Sequence, residues 1–272
     1  MTTGATAPGT PVPPSVHVAD DGPVRIVTID RPERRNAVDL ATSHALIAAF
    51  TEFDGDAAAS VAVLTGAGGT FCAGADLKAL AAGEGRPLHE DGPTAPMGPT
   101  RLPLSKPVIA AVEGHAVAGG LELALWADLR VLAADAVLGV FCRRFGVPLA
   151  DLGTIRLPRL VGHGRAMDLI LTGRPVAADE ALAIGLADRV VPPGEAVAAA
   201  VALAHQLARL PQRCLRNDRL SAIEQWSLPE GEAVRNEIRH ALDTIASGET
   251  LAGAGRFAAG LGRHGQPADD PA

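Results

Sequence analysis

The chain has no tyrosine, and aromatic residues make up only 3% of its 272 positions. Aromatic side chains are the largest units of buried apolar area, so a core without many of them rests on small contacts among Ala, Val, Leu and Ile. Cysteine is nearly as scarce. Cys72, Cys142 and Cys214 form an odd set with no C-x-x-C pair. That pattern offers no disulfide framework and no zinc-ligand spacing, and it suits a reducing compartment. No stretch approaches the ~18 uninterrupted apolar residues of a membrane span. The alanine-rich segment 197–204 is too short and is flanked by charge. Residues 1–15 are rich in Thr, Pro and Gly, with neither a basic start nor an apolar run, so they do not read as a secretory signal. The expected location is the cytoplasm. A net charge of −7 argues against a general nucleic-acid binder and leaves room for a local basic pocket facing a phosphorylated ligand.

What is present reads as a globular α/β protein. Residues 47% apolar and 20% charged, over this length, can bury a sizeable core. Residues 24–30 alternate and are β-branched, as in a strand. Residues 61–65 and 108–112 are short, nearly all-apolar runs of the kind buried in parallel sheets. Asp39 is placed to cap a helix running to about residue 54, and a second helix is expected over 120–128, with a strand at 129–133. This strand–helix alternation implies right-handed crossovers. The Gly- and Pro-rich segment 83–103 reads as a long loop that shapes a pocket. After about residue 153 the pattern turns helical, with one short strand at 189–191 and helices at 198–210, 215–226 and 230–245. The expected organisation is a disordered tail over 1–15, a core over 16–205, a helical oligomerisation region over 206–262 and a disordered tail over 263–272.

Two stretches carry the chemistry: FCAGADLK at 71–78 and GHAVAGGLE at 114–122. Each runs from a strand end through small residues into a helix start, which leaves backbone N–H groups bare. Two such donors converging on one point would cradle a developing oxyanion, as acyl-thioester chemistry requires. The plainer reading of Asp76 is a helix cap, and the two readings do not compete. Paired glycines at 119–120 are costly in a helix, so they mark either a close approach to another strand or a ligand approaching the main chain. The string GLGRHG at 260–265 matches a dinucleotide fingerprint but follows helices rather than a strand, and the match is read as chance.

RPERRNA at 31–37, FCAGADLK at 71–78, KPVIAAVEGHA at 106–116, AGGLELA at 118–124 and LTGRPVAADEALAIGLADRVV at 171–191 together resemble the crotonase (enoyl-CoA hydratase/isomerase) superfamily. The likeness runs over roughly residues 20–260. It implies a crotonase-like ββα superhelical core with a C-terminal helical extension, an acyl-CoA thioester substrate, no prosthetic group or metal, and a trimer or a hexamer built from two trimers. Coenzyme A would enter as part of the substrate. By this resemblance Ala75 and Gly119 supply the two oxyanion-hole N–H groups, and Asp76, Leu77 and Lys78 border the thioester channel. Glu33, Arg34 and Arg35 run along the pantetheine and nucleotide, where the arginines suit phosphates. A solvated turn after Pro32 is the equal alternative for these three.

The resemblance also places Glu122 as a catalytic carboxylate. The second glutamate of the family's hydratases falls at Cys142, and a thiol with reference pKa ~8.5 is a poor substitute near neutral pH. Asp151 resembles the aspartate used by the family's dienoyl-CoA isomerases. Its alternative is a cap for the helix that follows. Arg143 or Arg144 is expected to pair with Glu122 or Asp151. One effective base suffices for a double-bond shift, which gives isomerisation weight beside hydration. A catalytically weak acyl-CoA-binding protein is the alternative from another class.

Overall fold

The computed structural model describes residues 14–85 and 87–262. Most of the two expected tails, 1–15 and 263–272, lies outside the described residues. The chain begins with a hairpin of β1 (Val16–Asp21) and β2 (Val24–Ile29), turned by Gly22 at positive φ. Helix α1 (Leu40–Gly55) follows, and the Asp39 side chain accepts the Thr42 N–H at 2.8 Å, as expected of a cap. Next come β3 (Val61–Gly66), the one-turn helix α2 (Leu77–Ala81), β4 (Val108–Val112), β5 (His115–Val117) and α3 (Gly119–Trp126). The chain continues through β6 (Leu129–Ala133) and β7 (Val137–Gly139), then a 3-10 segment, Phe141–Phe145. The remainder is α4 (Gly153–Val161), α5 (His163–Thr172), β8 (Val176–Ala177), α6 (Ala178–Ala183), β9 (Arg189–Val191), α7 (Ala196–Ala208), α8 (Gln212–Glu224), α9 (Glu230–Ala246) and α10 (Glu249–Ala258).

Six strands form one sheet in the order β1-β2-β3-β4-β6-β9, antiparallel only between β1 and β2. β3 and β4 are almost wholly buried, which explains their unbroken apolar sequence. A smaller sheet, β5-β7-β8, stands beside it. The chain thus steps repeatedly from a strand of the large sheet to a strand of the small one and then to a helix: β4, β5, α3, then β6, β7. This is the ββα superhelix, and it brings β5 and its following turn next to the end of β3.

Three of the aromatics form one cluster in the core. Phe50 packs edge-on against Phe53 and against Trp126, with centroids 6.5 and 4.7 Å apart. The rest of the core is Val, Leu, Ile and Ala, with Phe71, Met97, Cys72 and Cys142.

Three strands in the small sheet and β1 escape the sequence pattern, as does α10. β8 is a second strand in the region expected to hold only 189–191. The expected division at 205/206 falls inside α7, which lies on β3, β4 and β6 and continues to Ala208. The C-terminal helices are fastened to the sheet by Arg219, whose Nε reaches Asp128 at 2.8 Å and whose Nη1 donates to the Leu104 carbonyl at 2.7 Å.

Candidate active site

The two glycine-rich turns meet through β5. Cys72 N–H donates to the His115 carbonyl at 2.9 Å, and Val117 N–H returns a bond to the Cys72 carbonyl at 3.1 Å. On the other side, Val38 N–H donates to Gly74 O at 2.8 Å and Asp76 N–H to Val38 O at 2.9 Å. Residues 72–76 are therefore clamped from both flanks. Gly74, at φ +98°, passes so close to the second turn that a Cβ there would lie 2.9 Å from the Gly119 nitrogen. Ala75 follows Gly74 directly, so its N–H lies next to this contact, as the Gly119 N–H does. Among the described residues neither is given to a protein acceptor. Ala118, at φ +54°, holds a left-handed conformation that a non-glycine residue rarely adopts, at the step before Gly119.

The two glycines at 119–120 have different reasons. A Cβ on Gly120 would stand 2.1 Å from the Cys72 carbonyl oxygen, so close backbone approach requires glycine there. A Cβ on Gly119 would meet the Met97 sulfur at 2.5 Å. Met97 thus forms a wall beside the Gly119 N–H.

Both bare N–H groups belong to residues that line a cavity of about 230 Å³, mostly apolar, with Met97, Phe141, Val147 and Pro148 among its walls. Glu122, Asp151 and Cys142 line the same cavity. Glu122 stands in the first turn of α3 and is 2% exposed. Its Oε1 accepts the N–H groups of Asp151 at 2.9 Å and Gly153 at 2.8 Å. Gly153 has to be glycine, because a Cβ would press on that oxygen at 2.7 Å. Burial, followed by the Asp151 charge, pushes Glu122 up to about 7, against the pull of the Gly153, Asp151 and Ala150 N–H groups.

Asp151 is also 2% exposed. Its Oδ1 accepts Met97 N–H at 2.9 Å and the Thr100 hydroxyl at 2.6 Å. It does not cap α4, whose N-cap position, Leu152, makes no side-chain cap bond. The capping alternative for Asp151 is thereby overturned: its carboxylate turns to the 97–100 segment instead. Burial raises the Asp151 carboxyl, while Thr100, Met97, Arg101 and Arg156 draw it back.

The expected pairing of Arg143 or Arg144 with a carboxylate does not occur. Arg143 donates to Ile170 O at 3.1 Å, and Arg144 donates to Gly173 O at 3.1 Å and lies over the Phe141 ring. Their 3-10 segment points both guanidiniums at the end of α5, and Arg156 approaches the site in their place. Cys142 is buried, and burial together with the Glu122 charge raises its thiol, so it is protonated near neutral pH.

Asp76 and Leu77 line the cavity, and Asp76 also caps α2 by accepting Lys78 and Ala79 N–H at 3.0 and 3.2 Å. Glu33, Arg34, Arg35 and Lys78 are exposed and lie outside the cavity lining. The sequence reading missed several supports. Arg31 bridges Asp39 at 2.8 Å and Asp76 at 3.1 Å, and donates to the Ala37 carbonyl. Asn36 ties the 66–70 turn through Ala67 O at 2.8 Å and Thr70 O at 2.7 Å. Met97 and Thr100 come from the loop whose composition said nothing. Among the described residues no group of three or more His, Cys, Asp or Glu is placed to hold a metal ion.

A buried carboxylate pair facing an apolar cavity, on turns joined by a ββα superhelix, is the arrangement of a crotonase-fold enzyme. The comparisons agree. The family model described as enoyl-CoA hydratase/isomerase matches residues 20–259. Carnitinyl-CoA dehydratase of Salmonella arizonae is 42% identical over 197 residues, which cover 72% of this chain and 75% of that one. The crystal structure of enoyl-CoA hydratase EchA1 from Mycobacterium marinum superposes with a TM-score of 0.85 at 38% identity, covering 90% of this chain and 96% of that one. Enoyl-CoA hydratase from Bacillus anthracis superposes with a TM-score of 0.80 at 30% identity, covering 90% and 96%. The chain belongs to the enoyl-CoA hydratase/isomerase family. No helix among the described residues is long and apolar enough to cross a membrane.

Proposed function

We propose that this enzyme binds an acyl-CoA thioester, holds the thioester oxygen on the Ala75 and Gly119 N–H groups, and moves protons with Glu122 and Asp151 to add or remove water at the adjacent carbons. The observation that carries the reading is the coincidence, in one cavity, of two uncommitted backbone donors and a carboxylate raised to about 7. As negative charge moves onto the thioester oxygen, preorganised N–H groups stabilise it without reorganising. A carboxylate with pKa near the working pH both takes and returns a proton effectively. Glu122 keeps one oxygen fixed on two N–H groups and has the other for the reaction. Asp151 is anchored in the same way, on Met97 and Thr100. The exposed Arg34 and Arg35, with Glu33, are assigned to the nucleotide and pantetheine at the rim, Asp76, Leu77 and Lys78 to the border of the thioester channel, and a homotrimer or hexamer to the C-terminal helices.

Double-bond isomerisation is the second reading, favoured by Cys142. A protonated thiol stands where the second glutamate of the family's hydratases falls, and a single returning base is enough to shift a double bond.

Glu122→Gln tests the first reading. The amide preserves the acceptor for Asp151 and Gly153 N–H but cannot carry a proton. Turnover of 2-enoyl-CoA and 3-hydroxyacyl-CoA substrates should fall at least ~10²-fold with little change in acyl-CoA affinity, the low end for loss of a general acid–base. Asp151→Asn should cost a similar factor. Retention of full turnover by Glu122→Gln defeats the assignment. A product analysis showing shifted double bonds and no 3-hydroxyacyl-CoA selects isomerisation.

A further inference from the structure

Arg156 on α4 reaches the site from behind. Its Nη2 donates to the Thr100 carbonyl at 2.7 Å and its Nη1 to the Asp151 carbonyl at 3.3 Å. The Thr100 hydroxyl donates in turn to Asp151 Oδ1 at 2.6 Å. Guanidinium to carbonyl, hydroxyl to carboxylate, carbonyl back to guanidinium: the three residues close a ring. Thr100 is fully buried. Both Nη bonds go to carbonyls, so Arg156 does not neutralise either carboxylate by direct contact.

Two buried carboxylates on one cavity oppose each other's ionisation. A pair that must act as acid and base needs one member charged and one able to hold a proton. Something must lower the cost of the charge without taking the proton's place. The charged or titratable groups that act on the pair are Arg101 in the Pro99–Arg101 turn, Arg156 on α4 and Cys142, which lies beside Glu122; Arg159 and Asp128 act on Arg156, and Arg143 on Cys142. Of these cations, Arg156 is the one bonded to the Asp151 backbone and to the residue that holds its carboxylate. Both carboxylates act on it: burial pulls the guanidinium down to about 10, and the Glu122 and Asp151 charges oppose that fall.

We propose that Arg156 is a positioning residue: through Thr100 it fixes the Asp151 carboxylate, and its buried positive charge keeps the Glu122–Asp151 pair from taking up a second proton near neutral pH. The inference rests on reading that pair as the proton carriers. With Arg156 in place, one carboxylate remains available as base. Without it, the pair takes up protons more readily and turnover at neutral pH falls while thioester binding persists.

The experiment combines pH–rate profiles on crotonyl-CoA with carboxyl ¹³C NMR titration of protein labelled at Glu and Asp, for R156M, R156K, T100V and T100S. In R156M the acid limb of kcat/KM and the titration midpoint of the pair should both rise by roughly one pH unit, the low end for loss of a nearby opposite charge. Turnover at pH 7 should fall about tenfold or more, with KM changed less than about threefold. R156K keeps the charge but loses the fork, so it should restore the midpoint without restoring kcat. T100V should raise the midpoint and T100S should return it, which keeps the test open if R156M does not fold. A midpoint unmoved in folded R156M or T100V, with only a lower Tm, overturns the proposal and leaves Arg156 a structural residue. If the wild-type chain turns over no enoyl-CoA, the proposed function falls, yet the NMR midpoints still decide what Arg156 does to the pair.

Discussion

Glu122 carries a cost in stability that can be measured apart from activity. Its carboxyl is ordinary in the unfolded chain, near 4.5, and is raised to about 7 in the fold. Between those values the folded state holds a proton that the unfolded state has released. The penalty for ionising the buried group is absent below pH 4.5 and fully present above pH 7. Glu122→Gln removes it while keeping the acceptor for two N–H groups. The variant should gain stability relative to wild type at pH 8, on the order of 3 kcal/mol at most, since a tenfold change in proton affinity is worth about 1.4 kcal/mol. The gain should vanish by about pH 4.5. Chemical denaturation of both proteins across this range checks it, and a constant difference at all pH values refutes the buried-charge account. Gly119 offers the parallel test of the oxyanion role. Gly119→Pro deletes the N–H, and kcat should fall ~10²–10³-fold, the usual loss for one such donor. Circular dichroism must accompany the test: proline suits the first helical position, but its Cβ would also meet the Met97 sulfur at 2.5 Å, so Met97 has to give way. Turnover within a few-fold of wild type in the folded variant would remove Gly119 from the site.

At the scale of elements, the C-terminal helices are held to the sheet by few polar contacts, and Arg219 makes two of them. It spans from α8 to Asp128 and the Leu104 carbonyl, and it is mostly buried. Arg219→Ala leaves Asp128 with the Val108 N–H alone on its other oxygen and strands a carbonyl. The expected loss is about 1–3 kcal/mol in denaturant unfolding, with limited proteolysis accelerated in residues 212–258 and not in the sheet. Equal acceleration everywhere would show that the helices do not loosen separately. These elements also show where sequence is informative. β3 and β4 declare themselves because they are buried almost throughout, β2 because its β-branched residues alternate, β6 because four of its five residues are buried, and α1 because Asp39 caps it. β5, β7 and β8 have only two or three residues, too few for any period to be seen, yet β5 is what aligns the two N–H turns. That Ala75, Gly119 and Glu122 would share one cavity was legible from the family resemblance, with the small-residue turns at two helix starts pointing to the same stretches. Arg156, Thr100 and Met97 were not, because their roles arise from contacts across more than fifty positions of sequence. The expectation for Arg143 and Arg144 failed for the same reason: adjacency to Cys142 along the chain does not set where a long side chain points.

For the whole molecule, α9 presents an exposed apolar stripe. Val234, Ile238, Leu242 and Ile245 recur at helical spacing and are each more than half exposed, Leu242 at 59%. The opposite face of the same helix is spent on α8, where Asn217 Nδ2 reaches the His240 carbonyl at 3.1 Å and Thr244 Oγ1 at 2.9 Å. Leu251 and Phe257 on α10 add to the outward apolar area. A stripe of this kind on an exposed surface fits a contact between protein copies, since apolar area left in water forgoes roughly 25 cal/mol per Å². With the resemblance to a family of trimers, the occupant expected is a second and third copy of this chain. Light scattering at micromolar concentration should give a trimer or a hexamer. The double variant Ile238→Asp, Leu242→Asp places two charges in the stripe and should shift the mass to a monomer, with circular dichroism unchanged because neither side chain is part of the monomer's core. A wild-type monomer at micromolar concentration ends the idea. So does a variant that keeps its assembly, since a buried interface could not hold four charges or more at each symmetric set without partners.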